Sequence, residues 1–270
     1  MVEVLAINAL VTGLALLFLW GLSVRLSDVS IVDIFWGPGF ALIAVTSLIL
    51  TGEIGPVSLL LVALTCLWSA RLGAHLAARW LAHGKREDRR YAAMRRKTGE
   101  RFAMRSLLTV FAFQGAIMWI VSLPLQVGIT LGSDMTLGLP SLAGSLLFLI
   151  GFTLEAAADQ QLKEFKEKTE RPEEVLQTGV WAWSRHPNYF GNACLWWGLY
   201  LIAAEVPAAL PTIVSPVLMT FLLLRVSGVA LLERGLVRSK PGYVTYRENV
   251  SAFLPLPPGW KRSERNDGPE

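Results

Sequence analysis

The chain is poor in the residues that build most soluble catalytic centres. Its 270 residues include only two cysteines, Cys66 and Cys194, and three histidines. Both cysteines sit inside apolar runs, which argues against a disulfide and against a cysteine metal site. No Cys/His spacing suits zinc, no Gly-x-Gly-x-x-Gly follows a strand pattern, and no Walker loop occurs, so neither a metal nor a sheet-borne nucleotide site is expected. Charge is scarce as well: 17% of residues are charged, against about 25% in ordinary soluble domains.

Long apolar runs fill the space that charge leaves. Mean hydropathy is +0.46 and 53% of residues are hydrophobic. A helix needs about 20 mostly apolar residues to cross a bilayer. Seven runs approach that length, at 4–25, 30–51, 57–83, 105–129, 139–162, 189–204 and 208–232. The first lacks a basic leader and a small-residue cleavage site and reads as a retained helix. Basic residues alternate between loops: Lys85 to Arg101, then Lys163 to Arg185, then Arg234 to Arg265, with little but Glu53, Asp134 and Glu205 in the others. By the positive-inside rule the N-terminus is outside and the C-terminus cytoplasmic. The expected fold is all-α, one seven-helix integral membrane domain over 1–258 with a polar, mobile tail at 259–270. The net charge of +4 belongs to these loops, so nucleic-acid binding is not expected, and the lipid bilayer is the first partner.

Polar groups inside such runs are costly unless paired or used. Trp68, Arg71, His75 and Arg79 share one face of the third run, where Arg71 reads as an anion ligand and Arg79 and His83 as snorkelling ends. Lys85-Arg86-Glu87-Asp88-Arg89-Arg90-Tyr91 mixes guanidinium forks with an aromatic ring, suited to phosphate and a planar base or simply to a solvated cluster. Glu155 and Asp159 are one turn apart, with Lys163 and Lys166 following on the same face. Ligand contact and ion pairing both fit them. Asp33, before Trp36-Gly37-Pro38-Gly39, suggests a kinked helix lining a cavity, and Gln114 lies midway through the fourth run. Either polarises a substrate carbonyl or ties helices together.

The densest signal is Trp183-Ser184-Arg185-His186-Pro187-Asn188-Tyr189-Phe190-Gly191. Pro187 suits the first turn of the sixth helix, whose free N–H groups favour anions. Arg185 and His186 suit phosphate, and Asn188 a carboxamide. A capped helix start at a membrane surface is the alternative. Near the C-terminus, Glu233, Tyr243 and Tyr246 either cap a nucleotide or anchor the chain at the interface.

With these residues assembled, the chain resembles the steroid 5α-reductase superfamily, in particular bacterial membrane proteins carrying its C-terminal domain. The likeness is strongest over 139–258: Leu154-Glu155 to Asp159, Gly179 to Gly191, Pro241-Gly242-Tyr243 to Tyr246, and Phe253-Leu254-Pro255. Ser30 to Gly37, Arg71 with His75, Glu87 to Tyr91 and Phe113-Gln114-Gly115 extend it upstream. The resemblance implies a seven-helix NADPH-dependent oxidoreductase of the 3-oxo-5α-steroid 4-dehydrogenase type, in the bacterial inner membrane with its cofactor site facing the cytoplasm. It reduces a conjugated C=C bond of a lipophilic small molecule. Cofactor positions fall on Arg71, His75, Arg90, Tyr91, Glu155, Asp159, Lys163, Lys166, Arg185, His186, Asn188, Tyr189, Glu233, Tyr243 and Tyr246. The glutamine–glutamate pair and the tyrosine that grip a steroid ketone are absent, Trp68 or Ser69 standing near the latter. The carbonyl-polarising role is therefore assigned to a neutral Asp33 assisted by Gln114 or Trp36. A second likeness, to isoprenylcysteine-type membrane methyltransferases using S-adenosylmethionine, shares the Arg-His-Pro-x-Tyr theme. A non-enzymatic membrane scaffold is the third reading.

Overall fold

The computed structural model describes residues 1–259 apart from 83, 85, 170, 172, 227 and 228, and apart from the side chains of 230, 231 and 234. His83, Lys85, Arg234 and the tail from residue 260 onward thus lie outside the described residues. No strand occurs among those described. The helices are α1 (Val2–Leu26), α2 (Ile31–Thr51), α3 (Pro56–Ala82), α4 (Arg89–Thr98), α5 (Phe102–Ser106), α6 (Phe113–Val121) and α7 (Leu123–Leu131). They continue with α8 (Leu139–Lys168), α9 (Pro187–Ala203), α10 (Val214–Phe221), α11 (Val229–Ser239) and α12 (Tyr243–Asn249). π-helical stretches at Leu107–Ala112 and Leu222–Val226 join α5 to α6 and follow α10.

Six segments among the described residues are long and apolar enough to cross a membrane: Val2–Leu26, Ile31–Thr51, Pro56–Ala82, Arg89–Val121, Leu139–Lys168 and Pro207–Val226. This is the organisation of an integral membrane protein. The seventh expected run, 189–204, is helical as α9. At 17 residues it stands at the short end of the roughly 17–25 that a crossing takes. Residues 191–196 are all buried, so its apolar character reflects protein neighbours.

The chain forms two compact units, one of residues 1–142 and 199–215, the other of 143–198 and 216 onward. In the first, α2 stays helical through Pro38, where the Gly-Pro-Gly sequence suggests a kink, and the glycines serve close packing. A Cβ on Gly37 would lie 2.9 Å from the Ser69 carbonyl oxygen, and one on Gly73 would lie 3.0 Å from the Pro38 ring. α1, α2 and α7 are tied by a buried amide chain. Asn8 Nδ2 donates to Ser47 Oγ (2.8 Å) and Gln126 Oε1 (3.1 Å), and Gln126 Nε2 donates to Ser122 Oγ (2.8 Å). Such bonds hold membrane helices together at about 0.6 kcal/mol each.

In the second unit α8 and α9 touch backbone to backbone. A Cβ on Gly151 would sit 2.4 Å from the Gly191 carbonyl oxygen, and one on Gly191 would sit 2.6 Å from that of Gly151. Seven residues along, a Cβ on Gly198 would meet the Gly144 carbonyl oxygen at 2.6 Å. The glycine pairs recur at one side of each helix, and only hydrogen fits between the two backbones. We expect Gly191→Leu to lower the melting temperature in detergent markedly, since overpacking costs about 1–3 kcal/mol or more. Gly21→Ala, with open space around its Cβ, should change it little. Fluorescence-detected size exclusion after graded heating measures both.

Candidate functional site

Two clusters of polar side chains stand out, one in each unit. In the second unit, α9 starts at Pro187 and α8 lies against its first turns. Asn188 Nδ2 donates to Asp159 Oδ1 (3.2 Å), and one turn along Asn192 Nδ2 reaches Glu155 Oε2 (3.4 Å). The two acid–amide pairs form a ladder, because 155 and 159 on α8 and 188 and 192 on α9 each repeat after four residues. Glu155 and Asn192 are buried, while Asp159 and Asn188 are half-buried. Farther along α8, Lys163 and Lys166 are exposed, and Lys163 lies 4.0 Å from Glu167.

Arg185 and His186 sit behind this ladder and are almost fully buried. The Arg185 guanidinium binds Glu233 Oε1 through Nε (2.8 Å) and Nη2 (2.6 Å). Its Nη1 donates to the carbonyl oxygens of Arg247 and Val250, both at 2.7 Å. It is thus the clamp that fastens the segment after α12 to the start of α9. Ser184 Oγ adds a bond to the Phe253 carbonyl oxygen (2.9 Å), and the Tyr246 hydroxyl donates to that of Trp181 (2.5 Å). His186 stacks flat on Tyr189 with centroids 5.5 Å apart, and its Nε2 is 3.4 Å from Glu233 Oε1.

Burial by itself would raise the Glu233 carboxyl, but its contacts with His186 and the Arg185 guanidinium hold it below the usual carboxylate range. Burial, and then the negative charge of Glu233, push the Tyr243 hydroxyl up to about 12. Tyr243 is buried, and its hydroxyl stands beside Arg185 and Glu233 of the clamp.

In the first unit, Asp33 Oδ1 accepts from the Tyr91 hydroxyl (2.8 Å), and Oδ2 faces Arg90 Nη2 at 3.2 Å. Gln114 Nε2 donates to the same Tyr91 oxygen (3.2 Å). Arg90 is steadied by Asp88, which accepts from its Nε (2.9 Å) and caps α4 through its backbone N–H. Both Asp33 oxygens therefore act as acceptors, whereas a neutral Asp33 is assigned a donor role from sequence. Donor capacity in this cluster resides in Tyr91, Gln114 and Arg90. Trp36 packs edge-on against Phe40 at 5.4 Å and lies outside that hydrogen-bonded set. Arg71 and His75 are half-buried on α3, each with partners of its own in the structure.

Asn192 escaped the sequence reading, although its spacing from Asn188 mirrors that of Asp159 from Glu155. Glu87, singled out within the charged run before α4, clasps Arg95 (2.9 and 2.7 Å) and the Val29 N–H (3.0 Å). Asp28 accepts from the Trp80 indole at 2.7 Å. Among the described residues no group of three or more His, Cys, Asp or Glu is arranged to hold a metal ion.

The family model described as "Protein of unknown function (DUF1295)" matches residues 19–250, so the chain belongs to that family, and the matched range takes in both clusters. The chain is similar to "Uncharacterized protein C594.04c" of Schizosaccharomyces pombe (strain 972 / ATCC 24843). The two are 26% identical over 276 residues, which cover 92% of this chain and 80% of the relative. No solved structure matches the chain.

The clamp yields a pH prediction. Because the Glu233 carboxyl is held low in the folded state, its contribution is complete above the ordinary carboxylate range and is lost as pH falls through the lowered value. Thermal melting should therefore hold steady from neutral pH down to that range and then drop. Glu233→Gln should cost about 3 kcal/mol near pH 7 by leaving Arg185 buried without its counter-ion, and should flatten the acid limb. An unchanged melting profile would reject the clamp.

Proposed function

We propose that this DUF1295 family member is a membrane-embedded NADPH-dependent reductase acting on an activated C=C bond of a lipophilic enone, with an isoprenoid, sterol-like or fatty body. The observation that carries the reading is the ladder of Asn188–Asp159 and Asn192–Glu155 beside the first turn of α9. It sets amide donors and carboxylate acceptors, the partners of a carboxamide and of ribose hydroxyls, in otherwise apolar helices. Exposed Lys163 and Lys166 are suited to phosphate. Tyr189, stacked on His186, and Tyr243, beside the clamp, complete the groups assigned to the cofactor in this unit. Arg185 and Glu233 act by holding the start of α9 in place.

NADPH held by the ladder residues would supply a hydride to the β-carbon of the enone. As the C=C electron pair moves toward the carbonyl, its oxygen would gain enolate charge, and a proton from water would complete the α-carbon. The products are the saturated ketone and NADP⁺. As enolate charge develops, the Tyr91 hydroxyl turns its one hydrogen from Asp33 to that oxygen, Gln114 Nε2 offers its second hydrogen, and Arg90 stays on Asp33. The protein's part is alignment and electrostatics, the cofactor's the hydride. The proposed setting is a bacterial inner membrane with the cofactor site toward the cytoplasm.

The Arg185–His186–Glu233 cluster also supports a second reading, an S-adenosylmethionine-dependent membrane methyltransferase of the isoprenylcysteine carboxyl type. Calorimetric titration of purified protein separates the two. NADPH should bind and S-adenosylmethionine should not; the reverse pattern sinks the reductase. Asn188→Ala and Asp159→Ala should each weaken NADPH binding about tenfold, the loss of one charge-assisted hydrogen bond, with melting temperature nearly unchanged. Tyr91→Phe should leave NADPH affinity intact and lower turnover of an enone substrate about a hundredfold.

A further inference from the structure

Several basic side chains between residues 86 and 105 take no part in either cluster. On α4, Arg90 and Arg95 turn to Asp33 and Glu87, and Tyr91 and Met94 pack into an apolar cluster with Phe102 and Phe111. The opposite face carries Arg89, Ala93, Arg96 and Lys97, all exposed, at the four- and three-residue steps that place them together. No acid shares that face: Asp88 precedes α4 as its cap, and Glu100 follows its end. Gly99, at φ 62°, terminates α4, so these ten residues form a separate short helix. Beyond the turn Arg101 and Arg105 are exposed too. The exposed apolar side chains Met104 (62%) and Leu108 (66%) come next. Among the described residues none of Arg89, Arg96, Lys97, Arg101 and Arg105 has an ion-pair partner.

A short helix with one apolar face, one cationic face and adjoining lipid-facing side chains has the make-up of an element lying at headgroup depth. We propose that the outer face of α4, with Arg101 and Arg105, binds the headgroups of anionic phospholipids. We further propose that this contact steadies the inner face, where Arg90 and Tyr91 hold Asp33. Guanidinium forks match phosphate oxygens, and net negative charge distinguishes these lipids from zwitterionic ones, whose cationic group cancels the phosphate. Coupling follows from length. A ten-residue helix is too short to hold itself, so whatever clasps one face sets the order of the other. The inference does not depend on hydride chemistry.

Native mass spectrometry of the full chain, titrated with dioleoylphosphatidylglycerol or dioleoylphosphatidylcholine, tests the lipid assignment. Wild type should retain the glycerol lipid in clear preference. Arg96→Gln/Lys97→Gln should lower that retention about twenty-fivefold, at about fivefold per basic residue. Arg171→Gln/Arg238→Gln, which removes the same charge from other exposed positions, should not. Millimolar inorganic phosphate should not displace the lipid. Equal retention of the two lipids, equal losses in the two double variants, or displacement by phosphate overturns the assignment.

Hydrogen exchange in nanodiscs tests the coupling. Amides of residues 90–98 should exchange more slowly in phosphatidylglycerol than in phosphatidylcholine, and the difference should vanish in Arg96→Gln/Lys97→Gln. Exchange that ignores lipid charge in wild type overturns the coupling. Melting temperatures of the variants confirm that they are folded, and a failed NADPH titration leaves both outcomes readable.

Discussion

Charge among apolar helices must be neutralised where it stands, because water is not there to do it, and that constraint organises both units. Arg185 is the clearest case. Buried at the start of α9, it meets Glu233 and two backbone carbonyl oxygens, and those bonds fasten residues 247–250 to the Arg-His-Pro segment. In the first unit the same demand pairs Asp33 with Arg90 and Glu87 with Arg95, which seats α4. The chain thus uses its few charges as fasteners, and the polar side chains left over are placed by them.

Close backbone approach is the second determinant. Gly151 against Gly191 and Gly144 against Gly198 leave no room for a Cβ, and the register this sets between α8 and α9 carries Glu155 and Asp159 opposite Asn192 and Asn188. A ladder of polar pairs is therefore a consequence of where two glycine pairs sit. Geometry of this kind is rigid because it rests on backbone and not on adaptable side chains. The proposed cofactor contacts depend on that rigidity.

Much of this was legible in the residues. The apolar runs marked α1, α2, α3 and α9 within a few positions, since helix length and hydropathy are local properties, whereas the run 105–129 falls across α5, α6 and α7. The grouping of Asp33, Arg90, Tyr91 and Gln114 is half visible, as sequence marks all four residues but for different tasks. What spacing alone does not tell is which of them donates. Tyr91 and Arg90 converge on Asp33 and make it an acceptor, a fact about distances between α2, α4 and α6. At Gly37-Pro38-Gly39 close approach decides as well: Gly37 and Gly73 let α2 and α3 close on one another, with α2 helical through the proline.

By itself the sequence determined the membrane character, the helices, the Arg-His-Pro-Asn segment at the head of α9 and the i, i+4 acids of α8. Each follows from hydropathy, from periodicity or from the conformational limits of proline, all set by near neighbours in the chain. Only the tertiary structure decided that Arg185 is a clamp, that Asn192 answers Glu155, that Asp33 accepts and that one face of α4 is left cationic and unpaired. Those roles depend on partners tens of residues away, Arg185 and Glu233 being 48 apart, and a charge becomes a fastener or a free surface only when folding settles what stands opposite it.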